Sequence, residues 1–370
     1  MALIGFSDLR DNELPILWDA GEITKVRLAD GSNFADMASE AQTALGMLNS
    51  ELLAMPHYSA LFTVQDEPQV EYGSDKANSV EEATEYGTPD PARGLMTGHM
   101  LPIKPYDFAW GWTMMALRKA RTATLRQHIK TGINAWRKKY QQLLLTRFFS
   151  STANAVAGTS GADVPFADGG TADSTYVPPE SPDGETFLYT HNHFLGYGTS
   201  GITSGTIDNS ALSVAVEHLQ EHGYEQPYIA ICSRTDVGSW GNVTGFKPPD
   251  WQNIRYHQSA VERANFGEMT NFFGAVETDY GIVLLWGTPR VPTGNFGVLS
   301  MLAEDAEDRP LRMRIDPNFG YGVNVVPGNW INAPSLLLVS YAEFGIGVGN
   351  RVGGVCVDLG ASSWAAPTIS

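Results

Sequence analysis

The chain has little of what disulfide frameworks and zinc fingers are built from. Its 370 residues include only two cysteines, Cys232 and Cys356. Each lies in an apolar run, which predicts a buried free thiol, and no CxxC or Cys/His zinc spacing occurs. The sequence therefore argues against a disulfide scaffold and favours folding in a reducing compartment.

Long hydrophobic runs are also missing. The most apolar late stretch, residues 335–348, contains Glu343 and is too short to cross a bilayer. The first residues carry charges early and have no apolar core of the signal-peptide type. We therefore expect a soluble protein that does not associate with a membrane.

Basic residues are scarce, with 24 Lys and Arg against 41 Asp and Glu and a net charge of −17. Such a surface repels phosphate, so the molecule as a whole is not a general nucleic-acid binder. No Walker loop, GxSxG elbow or HExxH sequence is present. The sequence predicts no cofactor and no catalytic residue.

The charges that are present are strongly segregated. Residues 64–92 hold eight acids against one base, Lys76, with prolines and glycines among them. Valines and tyrosines between the acids predict a long two-stranded hairpin with little apolar surface of its own. The eight acids are Asp66, Glu67, Glu71, Asp75, Glu81, Glu82, Glu85 and Asp90.

The following segment has the opposite charge. Residues 108–162 contain no Asp or Glu but nine bases, and apolar residues recur there at spacings of three and four. This pattern predicts one long amphipathic helix over 112–149. Its bases either contact nucleic acid or pair with acids elsewhere, for which the acidic hairpin is a partner, and the two roles are compatible. The nine bases are Arg118, Lys119, Arg121, Arg126, Lys130, Arg137, Lys138, Lys139 and Arg147.

The remaining segments predict a mixed helix and sheet protein. A helix is expected over 34–55, and the Ser-, Thr- and Gly-rich residues 151–206 are expected to form a long surface insertion. Asp208 and Gly223 bracket a second helix as N-cap and C-terminal stop. Buried strands are expected at 228–233 and 282–287, and an alternating strand at 311–315.

Four histidines form the best candidate metal site. His191 and His193 make an HxH pair, while His218 and His222 are four apart on the second helix. Such spacing suits zinc, but no acid is placed as a general base in a recognised motif. We therefore favour a structural or surface role and predict no bound metal.

The order of these parts resembles the major capsid proteins of tailed bacteriophages, the Hong Kong 97-type capsid fold. The likeness covers essentially the whole chain and rests on organisation, with residues 308–330 and 340–357 as the most family-like stretches. It implies an α+β fold with an N-terminal arm and short helix over 1–62 and an E-loop over 63–108. It further implies a P-domain over 109–190, an A-domain over 191–305 and a return to the P-domain over 306–370.

The resemblance implies a structural protein of the virion capsid, assembled in the host cytoplasm, rather than an enzyme. The expected partners are further copies of the chain in pentamers and hexamers, a portal, decoration proteins and packaged double-stranded DNA. Because no helical prefix precedes the arm, a separate scaffolding protein is implied, or none. Two alternatives stay open: an encapsulin-type shell around protein cargo, and a metal-dependent enzyme using His191, His193, His218 and His222.

Overall fold

The computed structural model describes residues 28–32, 34–54, 60–76, 93–170, 190–248, 272–301, 308–327 and 335–369. Two compact units share the chain. The first comprises residues 1–54, 103–141 and 315–345, and the second comprises 55–102, 142–314 and 346–370. Each unit is therefore built from three separate stretches of sequence.

The first unit contains a sheet with a long central strand. Strand β15 (Ser335–Val348) pairs antiparallel with β4 (Lys104–Thr113) and with β14 (Asn324–Pro327). Helix α1 (Phe34–Ala54) confirms the prediction for that segment.

The helix predicted over 112–149 is wrong at its start. Trp112 and Thr113 end strand β4, and two helices follow, α2 (Met114–Lys119) and α3 (Thr122–Phe148). Trp110 and Trp112 are buried on alternate positions of the strand, a period of two that the helical interpretation missed. Thr113 then caps α2, because its side chain accepts a hydrogen bond from the Ala116 amide. Helix α3 has 27 residues, so its length is about 40 Å.

The start of α3 is held by a residue from the N-terminal part of the chain. The carboxylate of Asp30 accepts hydrogen bonds from both the amide and the hydroxyl of Thr122. These bonds hold the pKa of Asp30 well below its usual range. A carboxylate at this position satisfies an amide that the helix leaves without an internal partner.

Helix α3 packs tightly on β4 and β15 within the first unit. The indole of Trp136 donates to the Ser340 hydroxyl at 2.7 Å, and Tyr140 stacks on Phe344 with ring centroids 4.6 Å apart. The Trp110 indole donates to the carbonyl of His128 at 3.1 Å.

The second unit is organised around a seven-stranded mixed sheet. In sheet order its strands are β7 (Phe194–Gly196), β16 (Gly354–Asp358), β12 (Asn295–Ser300), β8 (Tyr228–Ser233), β11 (Gly281–Thr288), β10 (Phe272–Thr278) and β9 (Phe246–Lys247). Helix α4 (Asn209–Glu221) packs its apolar face on this sheet, with Leu212, Val216 and Leu219 fully buried. The predicted caps are confirmed: Asp208 accepts from the Ala211 amide, and Gly223 has a positive φ of 77°.

Three further strand pairs belong to the second unit. Strand β1 (Phe62–Gln65) runs parallel to β13 (Leu311–Ile315), and the short strands β5 (Asn154–Ala155) and β6 (Ala162–Asp163) form a small hairpin. The third pair is β2 (Gln69–Lys76) with β3 (Arg93–Met100), which run antiparallel. A short helix, α5 (Val237–Trp240), lies between β8 and β9 along the chain.

The predicted surface insertion over 151–206 is wrong for part of its length. Val164, Phe166 and Ala167 are fully buried, and Phe166 packs edge-on against Phe148 at 5.3 Å. The high content of Ser, Thr and Gly masked a short apolar segment that enters the core. Residues 171–189 of the insertion lie outside the described residues. Cys232 and Cys356 are buried free thiols, as predicted.

Candidate functional site

The predicted basic residues divide into exposed and enclosed groups. Arg118 lies in helix α2. Arg137 and Lys139 are half-buried, and the Lys139 ammonium lies 5.0 Å from the centroid of the Tyr106 ring, a cation–π distance. The exposed bases are Lys119, Arg121, Arg126, Lys130 and Lys138.

One exposed base has an acid partner that sequence reasoning missed. Arg126 makes two hydrogen bonds to the carboxylate of Glu40 in helix α1, at 2.8 and 2.6 Å. This ion pair lowers the pKa of Glu40, chiefly through the hydrogen bonds from Arg126. The acidic hairpin is therefore not the partner of Arg126, and Glu40 could not have been assigned without the packing of α1 and α3.

Arg147 does not belong to the predicted contact surface. Its side chain is 5% exposed, and its Nε lies 2.9 Å from Oδ2 of Asp163, which is 1% exposed. Arg147 also donates to the carbonyl of Thr152 at 2.9 Å. The prediction that it faces DNA or a neighbouring subunit is wrong, because the core of its own chain encloses it.

A two-stranded hairpin is present as the β2–β3 pair, in register from Gln69 opposite Met100 to Lys76 opposite Arg93. Its second strand contains no acid and lies beyond the predicted acidic segment 64–92, so the predicted bounds of the hairpin are wrong at their C-terminal end. Asp66, Glu67 and Glu71 are exposed. Asp75 lies in β2. Glu81, Glu82, Glu85 and Asp90 lie outside the described residues.

The base of this hairpin is anchored in the second unit. Val70 and Leu101 are fully buried, and His99 is 3% exposed. The ring Nε2 of His99 lies 2.9 Å from the carbonyl of Val348. The hairpin is therefore fixed at its root by apolar packing and a buried hydrogen bond.

The four candidate histidines lie together in the second unit. The Nε2 atoms of three of them contact one another: 2.9 Å from His191 to His193, 2.8 Å from His191 to His222 and 3.1 Å from His193 to His222. The ring centroid of His218 lies 5.4 Å from that of His191. In the sequence, only the spacing within each pair of histidines indicated a metal site. The two pairs lie on segments about thirty residues apart, which come together only in the folded chain.

Two of the four histidines are buried. His193 is 0% and His222 is 5% exposed, so for these two the surface alternative of the expected structural or surface role is wrong. Burial, and then the neighbouring histidines, hold the pKa of His193 well below its usual value. The same causes lower the pKa of His222 to about 3, and burial lowers the pKa of His218. Among the described residues, His191, His193 and His222 place three nitrogen ligand atoms close enough together to hold a metal ion.

None of the described helices is long and apolar enough to span a membrane.

Comparison with known proteins identifies the fold. A chain of Mycobacterium phage Patience superimposes with a TM-score of 0.63 and 17% identity, covering 96% of this chain and 97% of that one. The capsid of Ralstonia phage GP4 gives a TM-score of 0.50 and 11% identity, over 82% and 87% of the two chains. An encapsulin complex from Synechococcus elongatus gives only 0.41 at 9% identity, over 83% and 88%. No protein-family model matches the sequence, and no curated protein resembles it.

The likenesses to the two phage chains confirm the predicted class, an α+β fold of the Hong Kong 97 type found in phage capsids. The chain shares that fold over 96% of its length with the first phage chain, although the two sequences are only 17% identical.

Proposed function

We propose that this chain is the major capsid subunit of a tailed bacteriophage, which self-assembles into an icosahedral head around double-stranded DNA. The observation that carries the proposal is the end-to-end likeness to a chain of Mycobacterium phage Patience, which leaves almost no residue of either chain unmatched. A shared fold does not fix function by itself. Here the likeness covers 96% of this chain and 97% of the phage chain, and this coverage is our reason for extending it from fold to role.

The role that we propose for each part of the chain follows from the resemblance to capsid proteins. The hairpin within 63–108 serves as the E-loop, α3 is the P-domain helix, and the lobe over 191–305 is the A-domain around the capsomer axis. The proposed partners are other copies in pentamers and hexamers, a separate scaffolding protein, a portal, decoration proteins and the packaged genome. The mature location is the virion capsid, after assembly in the host cytoplasm.

Assembly is the direct test. The untagged chain, expressed with and without its phage's scaffolding protein, should give closed shells hundreds of ångströms across in negative-stain images. A stable monomer or dimer that persists with scaffolding protein present would contradict the proposal. Shells that hold protein cargo and never DNA, even with the packaging machinery present, would favour the encapsulin alternative.

The exposed bases of α3 supply the proposed contact with DNA or with the acidic hairpin of a neighbouring subunit. Lys130 and Lys138 are the best probes because both are exposed, and because the ion pair with Glu40 is made by Arg126. Lys130→Glu with Lys138→Glu should leave the subunit folded but reduce shell yield or genome retention. Full particles at wild-type yield would remove this electrostatic role.

A matched pair of variants separates charge from side-chain shape. Lys130→Gln with Lys138→Gln removes two charges without adding repulsion, so its defect should be smaller than that of the glutamate pair. Raising the salt concentration screens exposed charges, so the two variants should differ less in shell yield and genome retention at high salt.

A further inference from the structure

The three contacting histidines pose a hydrogen-bonding problem that the protein cannot solve alone. A ring nitrogen of a neutral imidazole is either a donor or an acceptor, never both. Three nitrogens that all touch one another therefore include at least one donor–donor or acceptor–acceptor contact. The Nε2 atoms of His191, His193 and His222 form such a triangle, with sides of 2.9, 2.8 and 3.1 Å. A cation at the centre removes the conflict, because all three lone pairs then point at the same positive charge.

The tautomer of His193 fits this role. Its Nδ1 lies 3.0 Å from the carbonyl of Gly354, which can only accept. Nδ1 therefore carries the proton, and the Nε2 lone pair faces the other two histidines. Metal-binding histidines are usually oriented in this way, by donating their second ring N–H to a backbone carbonyl.

Two structural elements present the ligands. His191 and His193 flank Asn192, which forms an isolated bridge with Asp168, so alternate residues of an extended segment face the same point. His218 and His222 are one turn apart at the C-terminal end of α4, and His222 is its C-cap. That end of a helix carries partial negative charge, which favours a bound cation.

We propose that His191, His193 and His222 bind a divalent transition-metal ion of the zinc type, with His218 as the fourth ligand. The ion ties the extended segment that leads into β7 to the end of α4, and its role is structural. The nitrogen-only set excludes Ca²⁺ and Mg²⁺, which take oxygen ligands. Burial of His193 and His222 suits a closed structural site rather than a catalytic one.

The geometry needs only small adjustments. Nitrogens bound at about 2.0–2.1 Å in a tetrahedron lie about 3.3 Å apart. The observed separations of 2.8 to 3.1 Å are a few tenths shorter, so the three rings must move apart slightly. The side chain of His218 is 22% exposed, so its ring, unlike that of His193, is not enclosed by the protein. Its Nδ1 lies 3.7 Å from Oε2 of Glu221.

Metal content of the untagged full-length chain is the first measurement. After exposure to Zn²⁺ and dialysis against metal-free buffer, mass spectrometry of the metals should find about one zinc per subunit. Replacement by Co²⁺ should give the visible absorption of a tetrahedral cobalt site. A folded wild-type chain that holds less than about a tenth of an equivalent of any transition metal would overturn the proposal.

Variants localise the site. His191→Gln removes the half-buried ligand and should lower zinc retention at least about tenfold, whereas His128→Gln, an exposed histidine in α3, should retain it. Chelation should lower the thermal midpoint of wild type and of His128→Gln, but not that of His191→Gln. Should His191→Gln fail to fold, the cobalt spectrum of the wild type still decides. Equal zinc in His191→Gln and wild type would place the metal elsewhere and refute the assignment.

Discussion

Arg147 and Asp163 form an ion pair of 2.9 Å in the interior of the second unit. The second oxygen of Asp163 accepts a hydrogen bond at 3.1 Å from the amide of Val348, which belongs to the same unit. Burial raises the pKa of Asp163 to about 6, although the charge of Arg147 opposes the rise.

Removing one member of this pair should destabilise the chain strongly. Arg147→Met leaves a buried carboxylate without its cation, for which we expect a loss of about 3–5 kcal/mol in the free energy of unfolding. Urea denaturation of the unassembled subunit measures it. The double variant Arg147→Met with Asp163→Leu should recover much of the loss, since no buried charge is left. A single variant as stable as wild type would show that the pair is dispensable.

The cost of Arg147→Met should depend on pH. A carboxyl whose folded pKa is raised binds its proton more tightly in the folded state, so its contribution to stability falls as pH rises from about 4 to the folded pKa. Without Arg147 the folded pKa of Asp163 rises further. The difference in free energy of unfolding between Arg147→Met and wild type should therefore be smaller at about pH 5 than at about pH 8. A gap independent of pH would contradict ionisation of Asp163 in the wild type.

The exposed pair of Arg126 and Glu40 is the matched comparison. Its side chains are 59% and 47% exposed. Water screens such pairs, so Arg126→Gln should change the free energy of unfolding by no more than about 1 kcal/mol. A loss as large as that of Arg147→Met would mean that α1 depends on this contact for its docking.

Two glycines in helices should respond oppositely to alanine. A Cβ on Gly132 would overlap the Trp110 ring and lie 2.8 Å from Phe108 Cε1. We expect overpacking in Gly132→Ala to lower the free energy of unfolding by about 1–3 kcal/mol. This loss exceeds the gain of about 1 kcal/mol that alanine brings over glycine through its higher helix propensity. Gly46 in α1 has no atom near its would-be Cβ among the described residues, so Gly46→Ala should stabilise by up to about 1 kcal/mol. Thermal denaturation of the two variants distinguishes close packing from propensity, and equal shifts would refute the packing argument.

Local signals predicted the elements whose boundaries are set locally. Helix α4 lies between Asp208 and Gly223 as predicted, because an N-cap and a C-terminal glycine act through the backbone of the helix itself. The start of α3 was predicted wrongly, since it depends on Asp30, ninety-two residues away along the chain. Both apolar periods were present around Trp112, and only the pairing of β4 with β15 decides between them.

The sequence indicated which residues are candidates for contacts, but not whether each one is buried or exposed. The sequence singled out the four histidines that meet, yet it gave no sign that His193 and His222 are buried. It also grouped Arg147 with the surface bases, because the burying partner, Asp163, lies just past the acid-free segment. A run of like charges in the sequence therefore does not show that every one of them is exposed, because tertiary packing can bury individual members.

Protonation of His99 should weaken the root of the hairpin. Burial, and then the charges of Arg351, Arg147 and Arg312, lowers the pKa of His99 to about 3. A histidine with a depressed folded pKa binds more protons when unfolded, so its contribution to stability is present above the unfolded pKa of about 6.5 and is lost as pH falls towards 3.

His99→Gln keeps an N–H that can donate to the Val348 carbonyl but removes the titrating group. Urea denaturation of the unassembled subunit should show wild type losing stability relative to this variant, by up to about 1.4 kcal/mol per pH unit between about pH 6 and pH 4. Parallel profiles for wild type and His99→Gln would mean that the ring remains as easily protonated in the folded chain as in the unfolded one.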